Sequence, residues 1–382
     1  MARQLTLLPA PGPSEAVVRA AVEPALRACL DGGAPLAVVP AGPPDAVAAA
    51  RAALHPDEPV EPGAHLLVVT SGSTGAARGV LLSAGALRAS ATATLDRLGG
   101  PGSWLLALPV SAIAGLQVLC RGLLAGRSAT VLERGEPLAA AVARLPGDDR
   151  RYTALVPTQL RRHLDGEPDA LRSFDAVLVG GAATDPELLD RARAAGVHVV
   201  TTYGMTETAG GCVYDGRPLT GVQVRAGADG GVELAGPALA LGYRCDPSAT
   251  AAAFVDGWFR TRDAGSLDAE GRLTVQGRLD DVVVTGGVNV APPAVEAALR
   301  AHPAVADAVV FGRPDPEWGQ RVVAAVVPAA SGAPDLDALR PWVAGRLGGA
   351  AAPRELHLLD AVPLLHTGKP DRRAVAAALG AR

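Results

Sequence analysis

At 382 residues the chain is too long for one ordinary core, so two domains are expected. Hydrophobic residues at 49% speak against disorder. Aromatics at 3%, charged residues at 19% and a formal net charge of −4 speak against a nucleic-acid surface or a polybasic membrane patch. The cysteines Cys29, Cys120, Cys212 and Cys245 are far apart with no C-x-x-C pair, which argues against a metal cage or disulfide framework and fits a reducing compartment. The opening run is too short and Pro-broken for a signal peptide, and no uncharged apolar run nears the ~20 residues of a membrane span. A soluble cytoplasmic protein without membrane insertion is expected.

The first sixty residues read as helix, strand (35–39) and Ala-rich helix (45–54). Residues 65–70 (HLLVVT) form a short apolar run of the buried-strand kind, followed by a glycine-rich turn and a helical stretch over 83–98. Alternation continues with strands at 104–108, 129–132, 153–156, 176–179 and 198–202, and helices at 116–124, 138–145, 158–164 and 186–195. Such alternation implies mostly parallel sheets with both faces covered, an α/β class. After Gly210 short strands are separated by Asp-Gly and Glu-Gly pairs, the pattern of hairpins. From Pro292 helix (294–301), strands (306–311, 322–327) and helix (336–347) alternate again, a tail of the size of a small second domain. The boundary is expected near 277–281.

The sharpest local signal is Thr70-Ser71-Gly72-Ser73-Thr74-Gly75-Ala76-Ala77-Arg78-Gly79. Backbone amides and hydroxyls after a strand can cradle phosphate oxygens, glycines allow close approach, and Arg78 adds a cation. It lacks the lysine of a Walker A loop and the spacing of G-x-G-x-x-G. Alone, it is equally consistent with a flexible surface turn.

The remaining chain decides between these. The loop resembles the T-S-G-[ST]-T-G-x-x-[KR]-G phosphate loop of the adenylate-forming superfamily of acyl-CoA synthetases, luciferases and adenylation domains. Tyr203-Gly204-Met205-Thr206-Glu207 resembles its Y-G-x-T-E segment, Thr261-Arg262-Asp263 its [ST]-[GR]-D, and Gly277-Arg278-Leu279-Asp280-Asp281 its hinge. Thr285-Gly286-Gly287 resembles the glycine turn that follows, and Gly368-Lys369-Pro370-Asp371-Arg372 the C-terminal G-K-x-x-R. Within the superfamily, 156–160 (VPTQL) and 210–216 (GGCVYDG) are most similar to short actinobacterial o-succinylbenzoate–CoA ligases of menaquinone synthesis.

The resemblance implies a large N-terminal ATP- and acyl-binding domain over 1–279, with mostly parallel sheets flanked by helices plus a β-rich part. It also implies a small mobile α+β C-terminal domain over 280–382, hinged at Asp280. The implied cofactors are ATP, Mg²⁺ and coenzyme A, and the implied partner is an aromatic carboxylic acid, o-succinylbenzoate. Dimers are common in the family resembled, so a homodimer is among the expectations.

Carried over residue by residue, Thr70, Ser71, Gly72, Ser73, Thr74, Gly75 and Arg78 would hold the β- and γ-phosphates. Glu207 would bind Mg²⁺ and Thr206 would contact the α-phosphate, although such a pair alone is more often a helix cap. Tyr203, with Gly204 and Met205 behind it, would stack on adenine opposite Gly181 and Ala182. Asp263 and Arg278 would bind the ribose. Lys369, by itself an ordinary tail lysine, would neutralise carboxylate and α-phosphate during adenylation, and Gly286 and Gly287 would line the thiol's route. For the acid's second carboxylate, Arg161 and Arg162 with Thr158 and Gln159 are candidates, equally consistent with a solvent-facing pair on a helix. Ala112 departs from the family pattern, standing where a histidine or aromatic gate borders the acyl and CoA channel. Another aryl- or acyl-CoA ligase, a carrier-loading adenylation enzyme and a non-catalytic adenylate-binding paralogue are the alternatives.

Overall fold

The computed structural model describes residues 3–10, 12, 14–71, 77–227, 230–330, 332–363 and 371–380, without the side chains of Ser71 and Arg373. The chain divides into two compact units. The first comprises Met1–Arg225, Glu233–Arg260 and Ala269–Leu273; the second comprises Ala226–Val232, Thr261–Asp268 and Thr274–Arg382.

Two sheets carry the first unit. One takes β1 (Thr6–Pro9), β2 (Leu36–Val39), β3 (Leu66–Ser71) and β4 (Ala77–Leu82) in that order, with the short strand Gly242–Tyr243 beyond β4. Strands β1 to β3 are parallel, whereas β4 and Gly242–Tyr243 run antiparallel to their neighbours. The other sheet contains β5 (Ser103–Leu106), β6 (Thr130–Val131), β7 (Arg151–Leu155), β8 (Ala176–Gly180), β9 (Val199–Met205), β10 (Gly210–Tyr214) and β11 (Arg217–Pro218). Its order is β6-β5-β7-β8-β9-β10-β11, parallel from β6 to β9 and antiparallel at β10 and β11.

Side-chain parity explains the layering, because alternate residues of a strand point to opposite faces. Even-numbered positions (Leu66, Val68, Val80 and Leu82 of the first sheet; Leu106, Ala154 and Leu178 of the second) share one core with helices Ala84–Arg97 and Ile113–Leu124. Odd-numbered positions face away from it. Ala37, Val39, Leu67 and Leu81 pack with Ala50 of helix Pro44–Ala53 and with Leu54. Leu105, Leu155, Val177 and Val179 pack with Leu138, Leu160, Leu171 and Leu188 from four further helices. Helix Glu23–Leu30 adds Leu26, Cys29 and Leu30 to the same core, and the outer faces of both sheets are covered as well. Strands buried on both faces need continuous apolar runs, and Leu36–Val39 is buried at all four positions.

Two strands lie outside the pattern read from the sequence. β1 (TLLP) ends in proline and gave no alternation. β4 begins Ala-Arg-Gly, so its polar and flexible start obscured a strand where only a turn before the next helix was expected.

In the second unit, Val305–Asp315 and Gly319–Pro328 form a long antiparallel hairpin, extending well past the expected 306–311 and 322–327. Val283–Thr285, Val288–Val290 and Glu355–Leu358 complete its sheet. Val295 and Leu299 of helix Pro292–Arg300 and Leu339 and Val343 of helix Leu336–Leu347 bury against Val310, Val322 and Ala324.

Candidate active site

In open α/β sheets ligands gather at the carboxyl ends of parallel strands. Three of the sequence motifs of the first unit sit there: Thr70 and Ser71 end β3, Gly181 and Ala182 follow β8, and Tyr203, Gly204 and Met205 end β9. Gly72, Ser73, Thr74 and Gly75 lie outside the described residues. Their flanks are in register, Thr70 opposite Arg78 and Ser71 opposite Ala77, and the Thr70 hydroxyl donates to the Arg78 carbonyl at 3.4 Å. The glycine-rich segment therefore joins two antiparallel strands, rather than leading from strand into helix as the sequence reading had it.

Gly79, last residue of the motif, has a packing role. A Cβ there would lie 2.9 Å from the Arg244 Cβ and 2.8 Å from the Ala53 carbonyl. Arg244 is buried with all five N–H donors placed: on the carbonyls of Leu54, His55, Glu58 and Pro59 at 2.7–3.0 Å, and on Glu61 Oε2 at 2.6 Å. Burial would raise the Glu61 carboxyl, but the Cys245 N–H and the Arg244 guanidinium hold it below the usual glutamate range.

After β9 the chain makes one turn of 3-10 helix, Thr206–Thr208. The Thr208 hydroxyl accepts from the Met205 N–H at 2.9 Å and donates to the Gly210 carbonyl at 2.7 Å. Gly204 has φ +157°, and a Cβ there would collide with the Gly210 carbonyl, so the turn needs glycine. Thr206 is buried. The Glu207 carbonyl accepts from the Ala240 N–H at 2.8 Å, and its carboxylate Oε1 accepts from the Tyr243 hydroxyl at 3.1 Å. The Arg78 guanidinium carbon lies 4.6 Å from the centroid of the Tyr243 ring. Burial, then the Glu207 charge, pushes the Tyr243 phenol up, so it stays a proton donor.

The second unit holds the other motif residues. Asp263 is buried, and its Oδ1 is 3.4 Å from Arg278 Nη1. Asp280 Oδ2 lies 2.9 Å from Arg262 Nη1 and 3.8 Å from Arg278 Nη2, so the expected hinge carboxylate sits between two guanidiniums. Gly286 and Gly287 turn the hairpin between Val283–Thr285 and Val288–Val290 with φ +57° and +76°, and a Cβ on Gly286 would meet the Trp318 ring at 2.8 Å. Lys369 lies outside the described residues. Its flanks are joined, the Asp371 N–H donating to the Pro363 carbonyl at 2.8 Å. Arg372 binds the buried Glu296 with two nitrogens, at 2.7 and 3.0 Å.

Of the candidates for an acid's second carboxylate, Gln159 is engaged in holding the backbone. Its Oε1 accepts from the Val156 N–H at 3.0 Å and its amide donates to the Ala107 carbonyl at 2.8 Å, starting helix Pro157–Gly166. Thr158 is exposed in that first turn. Arg161 is exposed with Asp185 at 3.9 Å, and Arg162 lies 3.2 Å from the His163 ring. Ala112 is the N-cap of helix Ile113–Leu124 and gives it no side-chain cap. A different cation lies on that helix. Arg121 is 3% exposed, its guanidinium carbon 4.9 Å from the Trp104 ring centroid and its Nη2 3.5 Å from the Tyr214 hydroxyl. Arg121 Nε, Trp104 Nε1 and Gln117 Oε1 are all buried without a protein partner, and among the described residues no carboxylate comes within 4 Å of Arg121. Gln117 flanks Gly210 and Tyr214 flanks Gly211, immediately after the Thr206–Thr208 turn. Sequence reasoning missed Arg121 and Tyr243. The available signals were a lone arginine within an apolar helix and a tyrosine in a chain with only four.

Residues 12–243 match the family model described as AMP-binding enzyme, and residues 294–369 that described as AMP-binding enzyme C-terminal domain. The chain belongs to the AMP-binding enzyme family. This AMP-binding enzyme is 47% identical over 364 residues to a probable 2-succinylbenzoate–CoA ligase of Mycobacterium tuberculosis, covering 92% of this chain and 93% of the relative. It resembles the o-succinylbenzoate CoA synthetase of Bacillus subtilis in complex with its acyl-adenylate intermediate, with a TM-score of 0.80 at 25% identity, over 98% of this chain and 88% of that one. The B. subtilis protein in complex with ATP and magnesium ion gives a TM-score of 0.77 at 25% identity, over 97% and 88%.

The donor set fits magnesium. Among the described residues no three His, Cys, Asp or Glu side chains gather as a metal cage. Magnesium needs none, because it takes one or two carboxylates plus phosphate oxygens and keeps its waters. In this AMP-binding enzyme Glu207 stands in the turn just after β9, its carboxylate accepting a hydrogen bond from the Tyr243 hydroxyl. No helix among the described residues is long and apolar enough to cross a membrane.

Proposed function

We propose that the chain is an AMP-forming 2-succinylbenzoate–CoA ligase of menaquinone biosynthesis, working in the cytoplasm. It joins the acid to ATP, releasing pyrophosphate, and then transfers the acyl group from the acyl-adenylate to coenzyme A. The observation that carries this reading is the meeting of Arg78, Tyr243 and Glu207 beside the strand ends, in a chain alike along its length to the mycobacterial ligase.

The first half-reaction brings two anions together, a carboxylate and the α-phosphate, so its barrier is electrostatic. Arg78 and the loop from Thr70 to Gly75 hold the β- and γ-phosphates. Thr206 takes the α-phosphate, and Lys369 neutralises the charge that builds as the carboxylate oxygen attacks phosphorus and pyrophosphate leaves. Magnesium, when bound, supplies charge neutralisation on the phosphates, and Glu207 is its protein ligand. Tyr203 stacks on adenine opposite Gly181 and Ala182, and Asp263 accepts from the ribose hydroxyls with Arg278 beside it. In the second half-reaction the chain turns at Asp280, Lys369 withdraws, and the thiol approaches past Gly286 and Gly287 to displace AMP.

The acid's second carboxylate is assigned to Arg121. A buried guanidinium with an unpartnered N–H and no carboxylate neighbour favours an anionic guest, since a charge out of water is costly until paired. Arg161, exposed and facing Asp185, has no such need.

Acid-dependent exchange of labelled pyrophosphate into ATP tests the reading, comparing 2-succinylbenzoate with benzoate, a fatty acid and amino acids. Exchange with 2-succinylbenzoate alone is expected, followed by thioester formation on adding coenzyme A. Exchange with another acid would keep the chemistry and reassign the substrate. No exchange with any acid would leave only an adenylate-binding protein.

A further inference from the structure

We propose that Tyr243 is a positioning residue that sets both ends of the phosphate clamp, its hydroxyl orienting the Glu207 carboxylate and its ring face seating Arg78. The inference rests on the function proposed above, in which Glu207 carries magnesium and Arg78 a phosphate. The two groups come from distant stretches of chain, Arg78 from β4 and Glu207 from the turn after β9, and one side chain touches both.

Tyr243 is placed to do this because it is itself held from every side. Its strand pairs with β4, Tyr243 opposite Val80, two residues beyond Arg78. Its backbone N–H donates to the Thr250 hydroxyl at 2.9 Å, and its ring meets Phe254 edge-on at 5.9 Å between centroids. The next residue is Arg244 with its five placed donors, so the main chain on that side is anchored to Leu54–Glu61 through four carbonyls and one carboxylate. Glu207 stands on a single 3-10 turn, where a three-torsion side chain has several rotamers open to it. A hydroxyl fixed at 3.1 Å selects one of them before any ligand arrives, which is preorganisation of a metal ligand by its outer shell.

Tyr243→Phe removes one oxygen and keeps the ring under Arg78. In the full-length protein, binding of Mn²⁺ in the presence of α,β-methylene ATP, followed by electron paramagnetic resonance, should weaken roughly tenfold, the scale of one hydrogen bond to a charged group. The Mg²⁺ concentration for half-maximal pyrophosphate exchange should rise in step, with the KM for the acid unchanged at saturating Mg²⁺. Tyr243→Leu should additionally weaken binding of the nucleotide analogue without metal, since Arg78 then loses its seat. Unchanged Mn²⁺ affinity in a folded Tyr243→Phe protein would overturn the proposal, whatever its effect on thermal stability.

A second measurement needs no change at Tyr243. With 3-fluorotyrosine at the four tyrosines and the analogue already saturating, so that any adenine contact of Tyr203 is constant, adding Mg²⁺ should shift one ¹⁹F resonance, and should not shift it in Glu207→Gln. If no resonance depends on Glu207, the proposal falls. Metal binding without acid-dependent exchange in the unchanged chain would strike the proposed function and leave this inference standing.

Discussion

Arg121 and Arg244 are both buried guanidiniums, and the contrast between them separates structure from function at the scale of single residues. Arg244 has every donor placed on the protein's own oxygens, so it belongs to the fold. Replacing it by methionine takes a donor from each of four carbonyls and from Glu61 and should cost about 3 kcal/mol or more, read by chemical denaturation. Arg121 has a buried donor without a protein partner, which is the ground for proposing it as the seat of a guest carboxylate. Arg121→Gln should raise the KM for 2-succinylbenzoate at least tenfold while leaving that for ATP unchanged. It should also abolish the preference over an analogue lacking the ring carboxylate. Glu61 carries a pH signature. Its carboxyl is held below the usual value, so its share of stability is full above about pH 4.5 and is lost as pH falls through the lowered folded-state value. Glu61→Gln should therefore be less stable near neutrality but lose less stability on acidification below that point, as followed by urea midpoints. Neither arginine's role was legible in the sequence, because a cation inside an apolar run shows an interruption and not its partners. Glu207 and Asp263 were picked out only because short motifs name them.

Elements were more legible than residues. Buried parallel strands must be apolar along their whole length, so β2, β3, β7 and β8 announce themselves, and parity assigns their side chains to one core or the other. The exception is instructive. β4 begins Ala-Arg-Gly, with an arginine that the proposed site uses and a glycine that its packing requires, and those residues conceal the strand they stand on. The cost of filling that position follows from the geometry. Gly79→Ala puts a methyl against the Ala53 carbonyl and the Arg244 stem, which cannot both retreat. A loss of about 1–3 kcal/mol is expected from thermal melts, with a weaker affinity for ATP if β4 shifts. In the second unit the Glu296–Arg372 pair joins helix Pro292–Arg300 to the start of helix Arg372–Ala378, three residues beyond Lys369. The C-terminal motif pattern marked Arg372 for its lysine's sake, whereas its own contact is with a buried carboxylate.

At the scale of the whole molecule, chemistry on side-chain amines and thiols is concentrated. Lys369 is the only lysine in the chain, every other side-chain cation being arginine. Lys369→Ala should cripple adenylation and spare thioester formation from supplied acyl-adenylate; equal loss of both would argue against a two-conformation cycle. Burial pushes the thiols of Cys29, Cys120 and Cys212 up to about 12, and Cys245 alone is exposed. A thiol reagent should label the native protein once and the denatured protein four times, by intact mass. Two domains were expected from length and from the helix–strand alternation that resumes at Pro292, whereas the interleaving of Ala226–Val232 and Thr261–Asp268 into the second unit was not legible. Hairpin strands carry no mark of which body they join. The carbonyl cage around Arg244 also governs how small such a catalyst can be made. Residues 54–61 lie ahead of the nucleotide loop and touch no proposed substrate, yet they receive the arginine beside Tyr243. Shortening the leading segment past that point would empty the cage behind Tyr243, so the first unit has a floor written in five hydrogen bonds.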